Sequence, residues 1–498
     1  MSSYKITLRG IVQGVGFRPF VSNLAAQYGV CGSVRNTGGG VEIYASGDDS
    51  AILSFIKDLK EKRPPRAHIA EMTLQEQPAE NTPHKDSLKF AGFQILPSAG
   101  KAGAVFIPED TAVCEDCARE LFDPSDRRYL YPFINCTQCG ARYTIINTLP
   151  YDRPGTAMES FAMCPECEKE YNNPSDRRFH AQPNACHICG PFVYYRSLKG
   201  LSAIKAVAAL IDEGEIVAVK GLGGYHLVCD AANPLAIRRL RLLKNRPTKP
   251  FAVMCRNLPP NLPPIVKEAI LSPAAPIVIT PYHNPPKELE EALKEINPLS
   301  GEIGFMQSYT PLHKVLLSLT KTALIVATSA NINGEPIIAD NEEAEEELSG
   351  ITPHFLHHNR PIVNRADDSV ASVSLGEFRL LRRGRGYAPF PVSFPGDVHP
   401  LFAAGAHLKS SITLTAGRYA FVSPYIGDTE STATQEFYKK SYHNMLRLLG
   451  STPTLAVCDL HPDYFSTRFA QTLNVPLIRV QHHHAHLFSV MAEHSLTG

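Results

Sequence analysis

Hydrophobic residues recur with helical and strand periods over the first hundred residues of the chain. Two segments show the helical spacing, Phe17–Tyr28 and Ile52–Leu59. Strand-like runs precede, separate and follow them, at Lys5–Leu8, Cys31–Val34, Val41–Tyr44, His68–Leu74 and Lys89–Ile95. This order is close to β-α-β-β-α-β and predicts a ferredoxin-like domain over residues 4–97.

Two later regions also alternate between helix and strand patterns. In residues 200–387, a helical face at Ile204–Ile211 precedes a buried strand, Ile216–Lys220, and a later strand covers Ala323–Thr328. In residues 396–498, polar motifs follow short strand-like runs. We therefore expect a multidomain protein that combines α/β and α+β domains.

Segments rich in proline and glycine predict the domain boundaries. They lie at Pro97–Gly103, Gly190–Pro191 and Tyr387–Pro395. A polar stretch, Gln75–Ser87, is typical of an insertion before the last strand of the first domain. The predicted domains cover residues 4–97, 104–192, 200–387 and 396–498.

Composition and charge exclude several function classes. The formal net charge is zero over 498 residues, so there is no global electrostatic reason to bind nucleic acid or an anionic membrane. No run of 18 apolar residues occurs, and the first residues contain no apolar signal region. We expect a cytoplasmic protein in which cysteines stay reduced and are free to bind metal.

Eight of the twelve cysteines form four CxxC pairs, and these pairs form two copies of one unit. Each cysteine of the second copy lies 50 residues after its counterpart, and a Pro-Ser-Asp-Arg-Arg segment recurs at the same offset. The spacing CxxC-x18-CxxC suits tetrahedral zinc better than disulfides. We predict two structural zinc sites from these cysteines: Cys114, Cys117, Cys136, Cys139, Cys164, Cys167, Cys186 and Cys189.

The pairing of the CxxC motifs stays open at this point. We favour one zinc within each copy, but an interleaved arrangement of the first pair with the fourth and the second with the third also fits. His180 and His187 lie near the last pair, so a histidine is a further candidate to replace one thiolate.

A glycine-containing loop, Gln13–Arg18, lies between the first predicted strand and the first helix. Glycines allow close backbone approach, and a helix N-terminus offers free N–H groups to an anion. Arg18 in a first helical turn is unfavourable unless an anion is bound there. With Ser33–Gly38, this loop resembles the signature of acylphosphatases. The resemblance implies that Arg18 holds a phosphate and that Asn36 orients the attacking water.

A dense basic segment, Arg238–Lys249, precedes another predicted buried strand of the third domain. This order places Lys244, Arg246 and Lys249 just before the start of that strand. A polyphosphate is the natural ligand for lysine and arginine side chains that converge there. With the Ser329-x-Asn331 loop, the region resembles the YrdC family. That resemblance implies ATP, with Mg²⁺, as the ligand. It also implies that Lys220, Lys244 and Arg246 hold the triphosphate, while Ser329 and Asn331 line the nucleotide pocket.

Arg385 lies in the exit segment of the same domain. Two interpretations stay open for this residue: it contributes a further phosphate contact, or it lies in an ordinary surface loop.

The fourth region contains four histidines within five residues. His482 and His486 are four residues apart, so on a helix they share one face, as paired metal ligands do. An exposed surface cluster is the alternative. The region resembles the amino-terminal lobe of TsaD-type transferases, in which an HxxxH pair binds a divalent metal, here expected to be Fe or Zn. Because the third ligand of those proteins comes from a second lobe and the sequence ends at Gly498, we expect a truncated transferase domain.

The four regions in this order resemble the carbamoyltransferases of nickel–iron hydrogenase maturation. The resemblance implies an ATP-dependent, ligase-like enzyme that first hydrolyses carbamoyl phosphate and then forms carbamoyl-adenylate with release of pyrophosphate. The carbamoyl group would finally pass to the C-terminal cysteine of a partner protein, HypE, towards the cyanide ligands of the hydrogenase iron. The zinc module is expected to fix the placement of the domains.

Two other functions compete with this interpretation. An RNA-binding scaffold would use the zinc module and the basic helix, but balanced charge and the lack of tryptophan disfavour it. A threonylcarbamoyl-adenylate synthase for tRNA modification would share the third domain, but it has no need of an acylphosphatase-like domain.

Overall fold

The computed structural model describes residues 2–77, 92–99, 106–282, 285, 287–331, 334–394, 396–494 and 496. Within these ranges no helix is both long enough and apolar enough to cross a membrane. Most of the predicted insertion, from residue 78 onwards, lies outside the described residues, as does much of the first linker.

The first domain is a five-stranded sheet with two helices. Its strands are β1 (Ser2–Ile11), β2 (Cys31–Thr37), β3 (Gly40–Gly47), β4 (His68–Glu76) and β5 (Phe93–Ile95). Its helices are α1 (Phe17–Tyr28) and α2 (Asp49–Glu61). The strand order is β4-β1-β3-β2-β5, with β1 antiparallel to both neighbours. The start of the predicted strand Lys89–Ile95 falls outside the described residues, and its end forms β5.

The zinc module has little regular structure. Its elements are α3 (Glu115–Phe122), α4 (Pro165–Asn172) and two 3₁₀ turns, Tyr143–Ile145 and Arg153–Gly155. Each α-helix begins directly after the first cysteine of its copy, Cys114 or Cys164. The sequence repeat is therefore also a repeat of local structure.

The third domain contains an eleven-stranded sheet. Its order is β16-β15-β11-β12-β10-β13-β9-β8-β14-β6-β7. The strands are β6 (Val193–Tyr195), β7 (Leu198–Lys199), β8 (Val217–Lys220), β9 (Tyr225–Asp230), β10 (Ala252–Cys255), β11 (Ile277–Pro281), β12 (Glu302–Gln307), β13 (Leu324–Ser329), β14 (Phe355–His358), β15 (Val370–Ser374) and β16 (Glu377–Arg382). The helices are α5 (Leu201–Asp212), α6 (Pro234–Leu243), α7 (Pro264–Leu271), α8 (Lys287–Glu290), α9 (Leu293–Ile296), α10 (Pro311–Leu319) and α11 (Asn341–Leu348).

The fourth domain is a six-stranded sheet with three helices. Its order is β17-β20-β19-β18-β21-β22. The strands are β17 (Val392–Ser393), β18 (Leu401–Ala403), β19 (Thr413–Ala416), β20 (Tyr419–Val422), β21 (Leu455–Asp459) and β22 (Leu477–Val480). The helices are α12 (Thr432–Leu449), α13 (Phe465–Gln471) and α14 (His482–Glu493).

Apolar contacts cross the domain boundaries. Phe106, at the start of the zinc module, packs edge-on against Tyr419 and Phe421 of the fourth domain, with ring centroids 4.6 and 5.8 Å apart. One buried cluster joins the first and fourth domains, and another joins the zinc module to the third. The zinc module therefore lies at the junction of the other domains, against both the first and the third.

Candidate active sites

The loop between β1 and α1 turns sharply through two glycines. Gly14 and Gly16 have φ angles of 70° and 74°, in the left-handed region that favours glycine. Arg18 follows in the first turn of α1, and Asn36 is fully buried on β2. With its oxygen turned towards Arg18, the Asn36 amide accepts from Nη2 and Nε at 3.2 and 3.3 Å. The structure thus places the two predicted catalytic residues side by side.

The zinc module covers this loop. Arg142 donates from Nε to the carbonyl of Gly14 at 2.6 Å, and Gln138 donates from Nε2 to the carbonyl of Val15 at 3.2 Å. The same Arg142 guanidinium also donates to carbonyls around the second knuckle of the first copy, such as that of Cys136 at 2.9 Å. One buried arginine therefore links the anion loop to a cysteine knuckle.

Two further side chains of the zinc module face Arg18. Asp152 accepts from Nη2 of Arg18 at 2.8 Å. His180 and Arg18 both line a small cleft, where burial and the nearby Arg18 lower the pKa of His180 to about 4. The imidazole is therefore neutral near pH 7. Sequence reasoning considered His180 only as a substitute zinc ligand and missed Asp152, which belongs to no motif.

The eight cysteines of the CxxC motifs form two clusters, one within each copy. Neighbouring Sγ atoms of the first cluster are 3.5 to 3.8 Å apart, and those of the second are 3.6 to 3.8 Å apart. Four sulfurs at about 2.3 Å from one zinc have close to this separation. The cysteines thus group as the within-copy arrangement requires, and each cluster can hold one zinc. His187 instead lies against the carbonyl of Tyr129, 2.9 Å from its Nε2.

Each copy also supplies arginines to the other copy's cluster. Arg127 of the first copy donates from Nη2 to Sγ of Cys167 at 3.2 Å. Arg177 of the second copy donates from Nη2 to Sγ of Cys117 at 3.0 Å. Such N–H···S contacts offset the negative charge of four thiolates on one zinc. The repeated Pro-Ser-Asp-Arg-Arg segment therefore joins the two copies into one reciprocal unit.

Lys244 and Arg246 come together beside the end of strand β13 in the third-domain sheet. Helix α6 starts at Pro234, capped by the Asn233 side chain, and ends just before Lys244. From there, Nζ of Lys244 donates to the carbonyls of Ser329 and Asn331 and to Oδ1 of Asn331, all at 2.8 Å. The structure therefore brings four of the five predicted nucleotide-binding residues into one cleft.

Burial dominates the electrostatics of this cleft. Burial and the nearby Arg246 lower the pKa of Lys244 to about 7. Burial and the neighbouring Arg241 lower the pKa of Arg246 to about 10. A polyanion in the cleft would favour the charged form of both groups.

The cleft has walls from two domains. Lys249, Asp367 and Arg382 belong to the third domain. Tyr425, Asp428 and other residues of the fourth domain form the opposite wall, and the Arg382 guanidinium lies 5.3 Å from the centre of the Tyr425 ring. The fourth domain therefore helps to form the candidate nucleotide site.

Lys220 lines a different cavity. This cavity lies between the third domain and the first copy of the zinc repeat, and His358 and Arg360 also line it. Nζ of Lys220 donates to Oδ1 of Asn341 and lies 3.5 Å from the carbonyl of His358. Burial lowers the pKa of Lys220 to about 8. The expected contact of Lys220 with a triphosphate stays a prediction.

Both alternatives for Arg385 are wrong. The side chain is fully buried, donates from Nε to Asp368 at 2.8 Å and stacks 3.6 Å from the centre of the Tyr309 ring. Its other nitrogens donate to the carbonyls of Ala274 and Ala275. This is neither a surface loop nor a phosphate contact, because the side chain is buried and each of its three nitrogens donates to an acceptor inside the domain.

The histidine run begins helix α14. Nε2 of His482 and Nε2 of His486 are 3.2 Å apart, and Nδ1 of His482 lies 2.7 Å from the Asp459 carboxylate. The separation suits two nitrogens at about 2.1 Å from one ion, and Asp459 fixes which nitrogen faces it. Among the described residues, however, only the cysteine clusters bring three or more potential ligand atoms together.

Four family models match successive parts of the chain. Residues 4–94 match the family described as Acylphosphatase, and residues 113–146 and 163–195 match the HypF finger. Residues 209–384 match the Sua5, YciO and YrdC family, described as Telomere recombination, and residues 396–493 match the HypF Kae1-like domain. These matches confirm the predicted fold class.

Individual HypF proteins match this chain over its whole length. The carbamoyltransferase HypF of Synechocystis sp. is 43% identical over 100% of this chain and 64% of that protein. A crystal structure of full-length HypF in the phosphate- and nucleotide-bound form superposes with a TM-score of 0.94 at 41% identity, over 100% of this chain and 65% of that one. An acylphosphatase of Staphylococcus aureus is 43% identical over 67 residues, which are 14% of this chain and 75% of that protein. The chain thus spans slightly less than two thirds of the length of these HypF proteins, and it belongs to the HypF carbamoyltransferase family.

Proposed function

We propose that the chain hydrolyses carbamoyl phosphate, activates the resulting carbamate with ATP and takes part in transferring the carbamoyl group to the C-terminal cysteine of HypE. These steps require an anion site for a small phosphate ester, a polyphosphate site and a transfer site. The Arg18 loop, the Lys244 cleft and the histidines of α14 are the candidates for these three sites.

The first step is attack by water on the phosphorus of carbamoyl phosphate. The bond from phosphorus to the carbamoyl oxygen breaks, so that inorganic phosphate and carbamate leave. Arg18 and the free N–H groups of the loop would hold the phosphate and offset the charge that grows on its oxygens. Asn36, held beside Arg18, would orient the water.

The second step joins carbamate to ATP. A carbamate oxygen attacks the α-phosphorus, and pyrophosphate leaves to give carbamoyl-adenylate. Lys244 and Arg246 would stabilise the negative charge on the phosphates. Asp367 and Asp428 line the same cleft and offer oxygen ligands of the type that Mg²⁺ prefers.

The third step moves the carbamoyl group from the adenylate to a thiolate sulfur, with AMP as the leaving group. A divalent metal at His482 and His486 would supply Lewis acidity at the carbamoyl oxygen. Within this chain, Asp459 would hold the His482 ring so that Nε2 stays available for the metal.

The observation that carries this proposal is the placement of the zinc module against both the first site and the third domain. Both of its copies line the Arg18 cleft, and its first copy also lines the third-domain cavity that contains Lys220. Water-excluding contacts along this junction suit an intermediate that decays in water.

The decisive experiment measures release of AMP and pyrophosphate from ATP with carbamoyl phosphate as co-substrate. We expect release that depends on carbamoyl phosphate and is accompanied by inorganic phosphate. Release with bicarbonate and threonine in its place would support the threonylcarbamoyl-adenylate synthase alternative. Nucleotide-independent phosphate release with no AMP formation would contradict the second step.

A further inference from the structure

We propose that Asp152 is a specificity residue of the acyl-phosphate site, where its carboxylate accepts a hydrogen bond from the amide N–H of the carbamoyl group. The turn of the second zinc copy around His180 would form the adjoining wall. This inference rests on the proposed first step, and it assigns to the zinc module a part in recognising the substrate.

The position of Asp152 follows from its contact with Arg18. Oδ1 of Asp152 lies 2.8 Å from Nη2 of Arg18, the group expected to hold the phosphate. A carbamoyl group attached to that phosphate lies within a few ångströms of the same guanidinium. The Asp152 side chain is 31% exposed and the Arg18 side chain 9%, so the carboxylate is accessible from solvent beside a nearly buried guanidinium.

The surrounding side chains leave Asp152 as the best available acceptor. Oε1 of Gln182 already accepts from the Arg153 backbone N–H at 2.7 Å and from the Tyr171 hydroxyl at 3.0 Å. Its amide nitrogen donates to the carbonyl of His180. The His180 ring packs against Tyr171, with centroids 5.0 Å apart. The Gln182 oxygen is therefore already occupied by hydrogen bonds within the zinc module, whereas the Asp152 carboxylate can also accept a hydrogen bond from a substrate.

The chemistry of the substrate matches this acceptor. Carbamoyl phosphate and acetyl phosphate have nearly the same shape, but the first carries an NH₂ group where the second carries a methyl group. A carboxylate accepts a strong hydrogen bond from the amide and loses hydration without compensation beside the methyl group. Asp152 would therefore favour the carbamoyl ester over other acyl phosphates of similar size.

The acylphosphatase of Staphylococcus aureus offers a contrast. The matched region makes up 75% of that protein, which leaves no room for a counterpart of the zinc module. Arg18 and Asn36 lie in the first domain, whereas Asp152 lies 134 residues after Arg18. The Asp152 carboxylate therefore comes from the zinc module and supplements the anion loop and the Arg18–Asn36 pair of the first domain.

The test compares kcat/KM for carbamoyl phosphate and acetyl phosphate in the full chain, measured as phosphate release above the uncatalysed rate. In Asp152→Ala, the ratio of the two values should fall by about tenfold to a hundredfold, the range for a hydrogen bond to a charged group. Asp152→Asn keeps an acceptor oxygen without the charge, so its ratio should lie between those of Ala and wild type. The Asn variant also carries the test if the Ala variant does not fold.

The control is Glu109→Gln. Glu109 accepts from Arg66 at 2.8 Å, an ion pair between the same two modules but away from the cleft. Its ratio should equal that of wild type. An unchanged ratio in Asp152→Ala or in a folded Asp152→Asn, with both substrates slowed equally, would overturn the proposal and leave Asp152 as a support for Arg18. Failure of the wild-type chain to hydrolyse carbamoyl phosphate would instead contradict the proposed first step.

Discussion

The two anion sites of the chain hold their cations in opposite ways. At the first site, Arg18 donates to the Asp152 carboxylate, so its charge is compensated before any substrate binds. At the second site, the hydrogen bonds of Lys244 and Arg246 to other described residues all go to uncharged oxygens. Burial lowers the pKa values of both groups in the second site.

This difference suits the two ligands that we propose. A compensated guanidinium stays in one orientation, which favours a small ester that must bind, react and leave. Crowded cations that lack a carboxylate partner gain most from a ligand with several negative charges, because that ligand relieves repulsion and favours their charged forms. The comparison predicts that the two sites can be disabled separately.

The largest expected effects are losses of activity in two alanine variants. Arg18→Ala should lower carbamoyl-phosphate hydrolysis by about a thousandfold, because the phosphate loses its main cation, and should leave ATP binding intact. Lys244→Ala should lower carbamoyl-phosphate-dependent AMP release by about a hundredfold and leave phosphate release intact. Coupled assays for phosphate and pyrophosphate, together with a nucleotide titration of each variant, measure these effects.

Matched arginine variants control for folding. Arg35 of β2 is paired with Glu42 of β3, and Arg238 of α6 is paired with Glu295 of α9. Alanine at either position should leave both activities within about twofold, because neither arginine lines the Arg18 cleft or the Lys244 cleft and Glu42 keeps Lys5 as a partner. AMP release should also fall in Arg18→Ala, because the first step supplies its carbamate, so the second site of this variant is judged by ATP affinity. Loss of ATP binding in Arg18→Ala, or loss of phosphate release in Lys244→Ala, would mean that the sites are not separable.

Short contiguous motifs made much of this arrangement predictable from the sequence. The CxxC pairs carry their own ligand geometry, and the Gln13–Arg18 loop carries its own strand and helix. Asp152 and Arg142 were not predictable, because they meet the loop from 134 and 128 residues away and belong to no motif. Such contacts depend on how domains pack, which hydrophobic periodicity does not encode.

Lys220 and Arg385 show the same limit inside one domain. Lys220 was correctly placed at the end of a strand, but the cavity that its side chain lines depends on packing against the zinc module. For Arg385 the sequence left a phosphate contact and a surface loop open, yet its neighbours bury it against Asp368 and Tyr309. Charge density along a sequence therefore does not separate a ligand contact from a buried ion pair.

Zinc should matter to the first site more than to the second. Arg142, Gln138 and Asp152 reach the anion loop from the zinc module, whereas the described residues that line the Lys244 cleft all lie outside that module. Cys167→Ser should reduce the zinc content from two per chain to one and slow carbamoyl-phosphate hydrolysis about tenfold. ATP affinity should change by less than about twofold.

The measurement combines metal analysis with phosphate release and nucleotide titration. Cys31→Ser is the matched control, because Cys31 lies on β2 of the first domain, outside both clusters. It should keep two zincs and full hydrolysis. Equal losses of hydrolysis and ATP affinity in Cys167→Ser would show that zinc supports the whole chain and not mainly the first site.

The smallest expected effect is a pH dependence confined to the second site. Lys244 faces Arg246, Lys249 and Asp367, and without a ligand its pKa is about 7. Between pH 6.5 and 8.5 the free amine loses its proton, while bound phosphates would keep the ammonium form. ATP affinity should therefore be about fivefold to tenfold lower at pH 8.0 than at pH 6.5 once the titration of ATP itself is subtracted. Calorimetry in buffers of different ionisation enthalpy should detect uptake of about half a proton at pH 7. Lys244→Arg stays charged over this pH range, so this variant should show neither the pH dependence of ATP affinity nor the proton uptake. If the wild-type affinity follows the same pH profile as this variant, Lys244 is already fully charged before the nucleotide binds.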